Sequence, residues 1–67
     1  MKIFCERLKE LREEHHLSLS QLGNALGVSA STIDRWEKGL RVPIIDNLYN
    51  IALFFKVSSD YLIGLEN

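Results

Sequence analysis

Few residue pairs in this 67-residue chain could do catalysis. His15 and His16 are the most suggestive, but neighbours on a helix point about 100° apart and do not share a metal as histidines four residues apart do. They read as basic-capable groups at a helix C-terminus, where the dipole favours positive charge. Cys5 is alone, which excludes an internal disulfide and a multi-cysteine zinc site. It reads as a buried apolar side chain more readily than as a reactive thiol. Gly23, Gly27, Gly39 and Gly64 are scattered and build no phosphate loop. With no nucleophile and base, carboxylate dyad or metal triad, the expectation is a protein that is not an enzyme, with no metal, cofactor or small-molecule ligand.

The chemistry that remains lies between Ser18 and Arg41. The stretch "LGVSASTIDRWEKG", Leu26 to Gly39, has a glycine turn, a helix start at Ser29 and a basic end. Lys38 and Arg41 flank Gly39, and their plainer reading is a solvated charged loop. Leu19, Ser20 and Thr32 fall near helix N-termini, where free amides and hydroxyls attract anions such as phosphate. These five residues are the candidate backbone contacts for a nucleic acid.

A chain of this length forms one compact domain, expected over residues 1–67, with no room for a cleft between domains. Apolar residues make up 46% and charged residues 25%, which suits a folded protein rather than a disordered tail. Eight basic against nine acidic residues give a net charge of −1, so only local charge can select a polyanionic partner. "MKIFCERLKE" turns charged after three apolar residues, and no apolar run approaches the roughly 20 residues of a membrane span. A cytoplasmic protein without membrane contact is expected.

Helical periodicity runs through the chain and strand alternation is missing from it. Phe4, Leu8, Leu11 and His15 predict a first helix from about Ile3 to His15. Ser18 and Gln21 have the form of a capping box, so a second helix runs from Leu19 to Leu26 and ends at Gly27. Gly23 inside it costs about 1 kcal/mol relative to alanine, and is informative if it permits close helix approach. Ser29 caps a third helix, Ala30 to Lys38, whose inner side is Ile33 and Trp36, with Trp36 a core residue rather than a base-stacking one. Pro43 keeps "LRVP" a loop. Ile45, Leu48, Ile51, Ala52 and Phe55 predict a fourth helix over 45–55, and Tyr61, Leu62 and Leu65 a short fifth after the Ser58 cap. The fold class is all-α, a compact five-helix bundle.

The segments "RLKELREEHHLSLSQLGNALGVS", "STIDRWEKG" and "VPIIDNLYNIALFFKVSSDYLIG" resemble, in order and spacing over about Glu6 to Gly64, the Cro and phage-repressor-like (XRE) helix-turn-helix family. That resemblance implies a lambda-repressor-like bundle whose second and third helices, about residues 18–39, form the helix-turn-helix, with the third helix in the major groove. Positions matching base readers are Ala30, Ser31, Asp34 and Arg35, with Leu19 also facing DNA. Arg35 can donate two bonds to guanine O6 and N7; its plainer alternative is an ion pair with Asp34 or a neighbour. Ser31 can bond a base or a phosphate, and Ala30 can touch a thymine methyl. Asp34 could accept from cytosine N4, although phosphate repulsion and orientation of Arg35 are favoured. The resemblance also makes Arg12 and Glu37 a structural ion pair.

Two functions follow. The preferred one is a sequence-specific double-stranded-DNA-binding transcriptional regulator, a repressor acting as a homodimer on a palindromic operator. Because the chain ends after the fifth helix, dimerisation is expected to use the bundle itself, through Ile44, Ile45, Tyr61, Leu62 and Leu65, although the same residues could complete the core. The alternative is a protein-binding module of the same fold with little DNA affinity, an antagonist or antitoxin partner, favoured by the net charge, Leu19, Ala30 and Asp34.

Overall fold

The computed structural model describes residues 1–66; Asn67, the last residue of the expected domain, lies outside them. The described residues form α1 (Lys2–Glu14), α2 (Leu19–Leu26), α3 (Ala30–Glu37), α4 (Ile45–Phe55) and α5 (Ser59–Ile63), and no strand. None of these helices is long and apolar enough to cross a membrane.

Side-chain caps fix where the short helices begin. The Ser18 hydroxyl accepts from the Gln21 amide at 3.0 Å while Gln21 Oε1 accepts from the Ser18 amide at 2.8 Å, a reciprocal capping box. Ser29 and Ser58 accept from the amides of Thr32 and Tyr61 in the same way. At the other end of α2, Gly27 takes the left-handed conformation, φ 73°, that closes a helix. Lys38 follows α3 as its C-terminal cap and is not part of the helix.

Inward stripes from all five helices meet in one core of Phe4, Leu8, Leu11, Leu22, Ile33, Trp36, Ile51, Phe55 and Leu62. Trp36, in contact with this core, presents no ring to solvent. Three expectations are corrected. Ile45, read as part of the inner stripe of α4, is 80% exposed, because α4 turns its Ile51 and Phe55 side inward. His15 stands just outside α1; its ring lies edge-on to Phe55 with centroids 5.0 Å apart, and its Nδ1 meets the Leu11 carbonyl at 2.9 Å. Cys5 is half-buried rather than buried, its thiol donating to the Met1 carbonyl at 3.0 Å.

The helix-turn-helix pair is held by the contact of α2 and α3 at Gly23. A Cβ there would lie 2.7 Å from the Val28 carbonyl oxygen and 3.2 Å from the Ala30 amide nitrogen. Both are backbone atoms at the turn, and neither can swing aside. In an open helix Gly→Ala gains about 1 kcal/mol, whereas overpacking costs about 1–3 kcal/mol. With backbone atoms as close as 2.7 Å the cost falls at the upper end of that range, so Gly23→Ala is expected to destabilise the fold by about 2 kcal/mol net in urea unfolding; an unchanged or raised midpoint would contradict the close approach.

Candidate nucleic-acid interface

One ion pair sets the end of α3 against α1. Arg12 Nε donates to Glu37 Oε2 at 2.6 Å and a terminal nitrogen donates to Oε1 at 2.9 Å, a bidentate fork. The other terminal nitrogen donates to the Leu17 carbonyl at 2.9 Å, so the same guanidinium also holds the loop that delivers α2. The side chains are only 14% and 6% exposed. Hydrogen bonding to Glu37 raises the Arg12 pKa beyond its already high ordinary value, against the opposing effect of burial. A raised cationic pKa gives stability that is present throughout the ordinary pH range and lost only in strongly alkaline solution.

With Ile33, Trp36 and Glu37 turned inward, a 100° step per residue sends Ser31, Asp34, Arg35 and the cap residue Lys38 to the opposite arc. Ser31, Arg35 and Lys38 are exposed, and Asp34 and Ala30 are half-buried. Asp34 does not pair with Arg35: its Oδ2 meets Lys38 Nζ at 2.9 Å, four residues on. Arg35 has no ion-pair partner among the described residues and projects into solvent.

Both helices of the helix-turn-helix begin with free amides. In α2 the Ser18 cap takes the Gln21 amide and leaves those of Leu19 and Ser20 without an intrahelical acceptor. The Leu19 side chain is half-buried against the core, so its amide, not its side chain, is the group available to a ligand. In α3, Thr32 is engaged by Ser29 through both its amide and its hydroxyl, at 3.1 and 2.9 Å, and the free amides are those of Ala30 and Ser31. Thr32 and the exposed Arg41 line one shallow cleft with Asn47. Asn47 was not singled out from the sequence; its position two residues into α4 gave no signal until the 41–44 loop folded back beside α3.

The expected dimer residues are not all exposed. Leu62 is fully buried in the core and cannot face a second molecule. Tyr61 is half-buried, its ring beneath the Arg7 guanidinium at 4.2 Å. Ile44, Ile45 and Leu65 are exposed. Ile45 continues instead into a second apolar stripe with Tyr49 and Leu53, at i, i+4 and i+8 along the outer side of α4. This stripe borders an open groove of about 640 Å³ that reaches Lys56 and Ile63. Its spacing was readable in the sequence, but both stripes of α4 are apolar and periodicity alone does not choose between them. Among the described residues no group of three or more His, Cys, Asp or Glu side chains is placed to hold a metal ion.

The architecture is that of a helix-turn-helix protein, and a helix-turn-helix family model matches residues 8–62. The chain belongs to this family, of the XRE, phage-repressor-like type. It is similar to the P22 c2 repressor, solved in complex with the synthetic operator 9T, with 29% identity, a TM-score of 0.86, and 92% of this chain and 94% of that one covered. A transcriptional regulator from Listeria innocua superposes with a TM-score of 0.88 at 33% identity, over 96% of this chain and 60% of that one. In sequence it is 35% identical over 63 residues to the HTH-type transcriptional regulator YobD of Bacillus subtilis (strain 168), covering 94% of this chain and 56% of the relative. It is also 38% identical over 63 residues to the HTH-type transcriptional activator BcrR of Enterococcus faecalis, covering 94% and 31%. The chain thus spans about half the length of YobD and about a third of BcrR.

Removing one partner of the Arg12–Glu37 pair leaves a mostly buried charge. Glu37→Ala is expected to cost about 3 kcal/mol in urea unfolding, at the low end for a broken buried pair because Arg12 keeps some access to water. Replacing both residues together, Arg12→Met with Glu37→Leu, should cost clearly less than either single change. A double variant as unstable as the sum of the singles would contradict a coupled pair.

Proposed function

We propose that this chain is a sequence-specific double-stranded-DNA-binding transcriptional regulator that lays α3 in the major groove. The observation that carries this is the outward arc of α3, with Ser31, Asp34 and the unpaired Arg35, in a helix-turn-helix whose two helices also begin with free amides. The groove is about 12 Å wide and admits one helix, and helix N-termini attract phosphates. Arg35 reads guanine, Ser31 bonds a base edge or phosphate, and Ala30 offers its methyl to thymine. The amides of Leu19 and Ser20, together with Arg41, Thr32 and Asn47 around their shared cleft, hold the backbone, and Lys38 joins them to the extent that it leaves Asp34.

The P22 c2 repressor, similar over nearly the whole of both chains, is solved on an operator, which supports DNA as the partner. The relatives include one named a repressor and one named an activator, so the shared fold sets the contact with DNA and not its regulatory sign. Repression by occupancy is the simplest action for this unit. A second copy would supply the other half-site, about 34 Å away, using the exposed stripe Ile45, Tyr49 and Leu53 with Ile44 and Leu65 in place of the buried Leu62. The protein acts in the cytoplasm, without cofactor or catalysis.

Selection from a randomised duplex pool at low and physiological salt tests this. An enriched, two-fold-symmetric site is expected; Arg35→Ala should relax one position in each half-site, whereas Arg41→Ala should weaken all sequences alike and flatten the salt slope by about one per protomer. Retention of no duplex even at low salt would overturn the proposal in favour of a protein-binding module.

A further inference from the structure

The groove between α4 and α5 has the size and lining of a small-molecule site. Its volume of about 640 Å³ falls within the roughly 300–1000 Å³ of ligand pockets, which are mostly apolar with a few placed polar groups. Leu48, Ala52, Val57 and Ile63 line it as half-buried side chains, and the exposed stripe of Ile45, Tyr49 and Leu53 flanks them. Sequence reading finds no ligand here, because it assigns Ile45, Leu48 and Ala52 to the helical spacing of the core.

Charge in the groove is confined to one end. Lys56 is the only charged residue of the lining, which otherwise holds the Tyr49 and Ser59 hydroxyls as its polar side-chain groups. Lys56 is exposed and makes no ion pair among the described residues. It caps α4 in the left-handed conformation, φ 57°, where α2 and α5 use Gly27 and Gly64. A side chain is the more strained choice at such a position, and here it sets an ammonium at the end of an apolar trough. The amides of Lys56 and Val57 bond the carbonyls of Leu53 and Ala52 at 3.3 and 3.0 Å. Two of the last carbonyls of α4 are thus closed, and the ammonium dominates the charge at that end.

We propose that this groove binds a free amphipathic carboxylate of medium chain length, its alkyl body against Leu48, Ala52 and Ile63 and its head on Lys56. A single ammonium matches a singly charged head, whereas a phosphate carries up to two charges and would be left partly unpaired. The apolar lining rewards burial of an alkyl chain in proportion to the area it removes from water. A second copy of the chain is the competing occupant, since the contact proposed above uses the same Ile45, Tyr49 and Leu53 stripe. The site uses no residue assigned to DNA, so it stands or falls apart from the DNA-binding reading.

The experiment titrates the isotopically labelled chain, without DNA, with decanoate below its micelle concentration and separately with decanol, and follows amide and methyl chemical shifts. Saturable shifts with decanoate are expected at Leu48, Ala52, Val57 and Ile63, with the amides of Ser31 and Arg35 unmoved. Lys56→Gly keeps the left-handed cap without strain, so a loss of binding in it is not a loss of folding. It should weaken decanoate about threefold and Lys56→Glu about tenfold or more, while decanol affinity stays within about twofold in both. Leu53→Gln should weaken both ligands. Decanoate affinity unchanged in Lys56→Glu, or shifts that never saturate and spread equally to the exposed Met1, Ile3 and Leu40, would overturn the proposal. Groove shifts that follow protein concentration alone and ignore decanoate would also overturn it, and would give this face to the second copy.

Discussion

The backbone contact at Gly23 is the constraint on which the rest of the molecule depends. The Val28 carbonyl and the Ala30 amide lie where a side chain at position 23 would begin, so α2 and α3 meet at the turn itself, through main-chain atoms. This closeness fixes the angle between the two helices and brings their N-termini to related positions. Everything proposed for DNA follows from that placement: two sets of free amides, and an outward arc of α3 on which Ser31 and Arg35 are exposed. The Arg12 fork completes the geometry from the other side, holding Glu37 at the end of α3 and Leu17 at the entrance to α2 with one guanidinium.

Electrostatics is organised locally rather than by net charge. The chain carries a slight acidic excess, yet the segment from Leu17 to Arg41 holds only two acids, Asp34 and Glu37, and each is engaged by a cation. Glu6, Glu10, Glu13 and Glu14 are all exposed on α1, outside the helix-turn-helix. Arg35 and Arg41 are then the cations of that segment free of ion pairs among the described residues. A polyanion would meet these two arginines and the helix-end amides, which is why the overall charge is a poor guide to this partner.

Much of the fold was legible because caps and periodicity are local. Ser18 with Gln21, Ser29 and Ser58 each mark a helix start that the structure reproduces, and the bounds of α2 and α4 match the expected ones. What the sequence left open were choices between faces. Ile45 and Ile51 are equally apolar, and only the packing of α4 on α2 and α5 sends one outward. Tyr61 and Leu62 are adjacent on a short helix, and the Arg7 contact covers the first while the core takes the second. The pairing of Asp34 with Lys38 in place of Arg35 is a similar case: the i, i+4 spacing was visible, but residue order drew attention to the nearer cation.

In the proposed function, α3 and the free N-terminal amides form the surface that meets DNA. Titration of the isotopically labelled protein with a short mixed-sequence duplex at low salt, followed by amide chemical shifts, tests it most directly, because non-specific binding already uses the phosphate-facing surface. The largest shifts are expected at Leu19, Ser20, Ala30, Ser31, Arg35 and Arg41. Shifts confined to the groove between Ile45 and Ile63, with the N-termini of α2 and α3 unmoved, would contradict it.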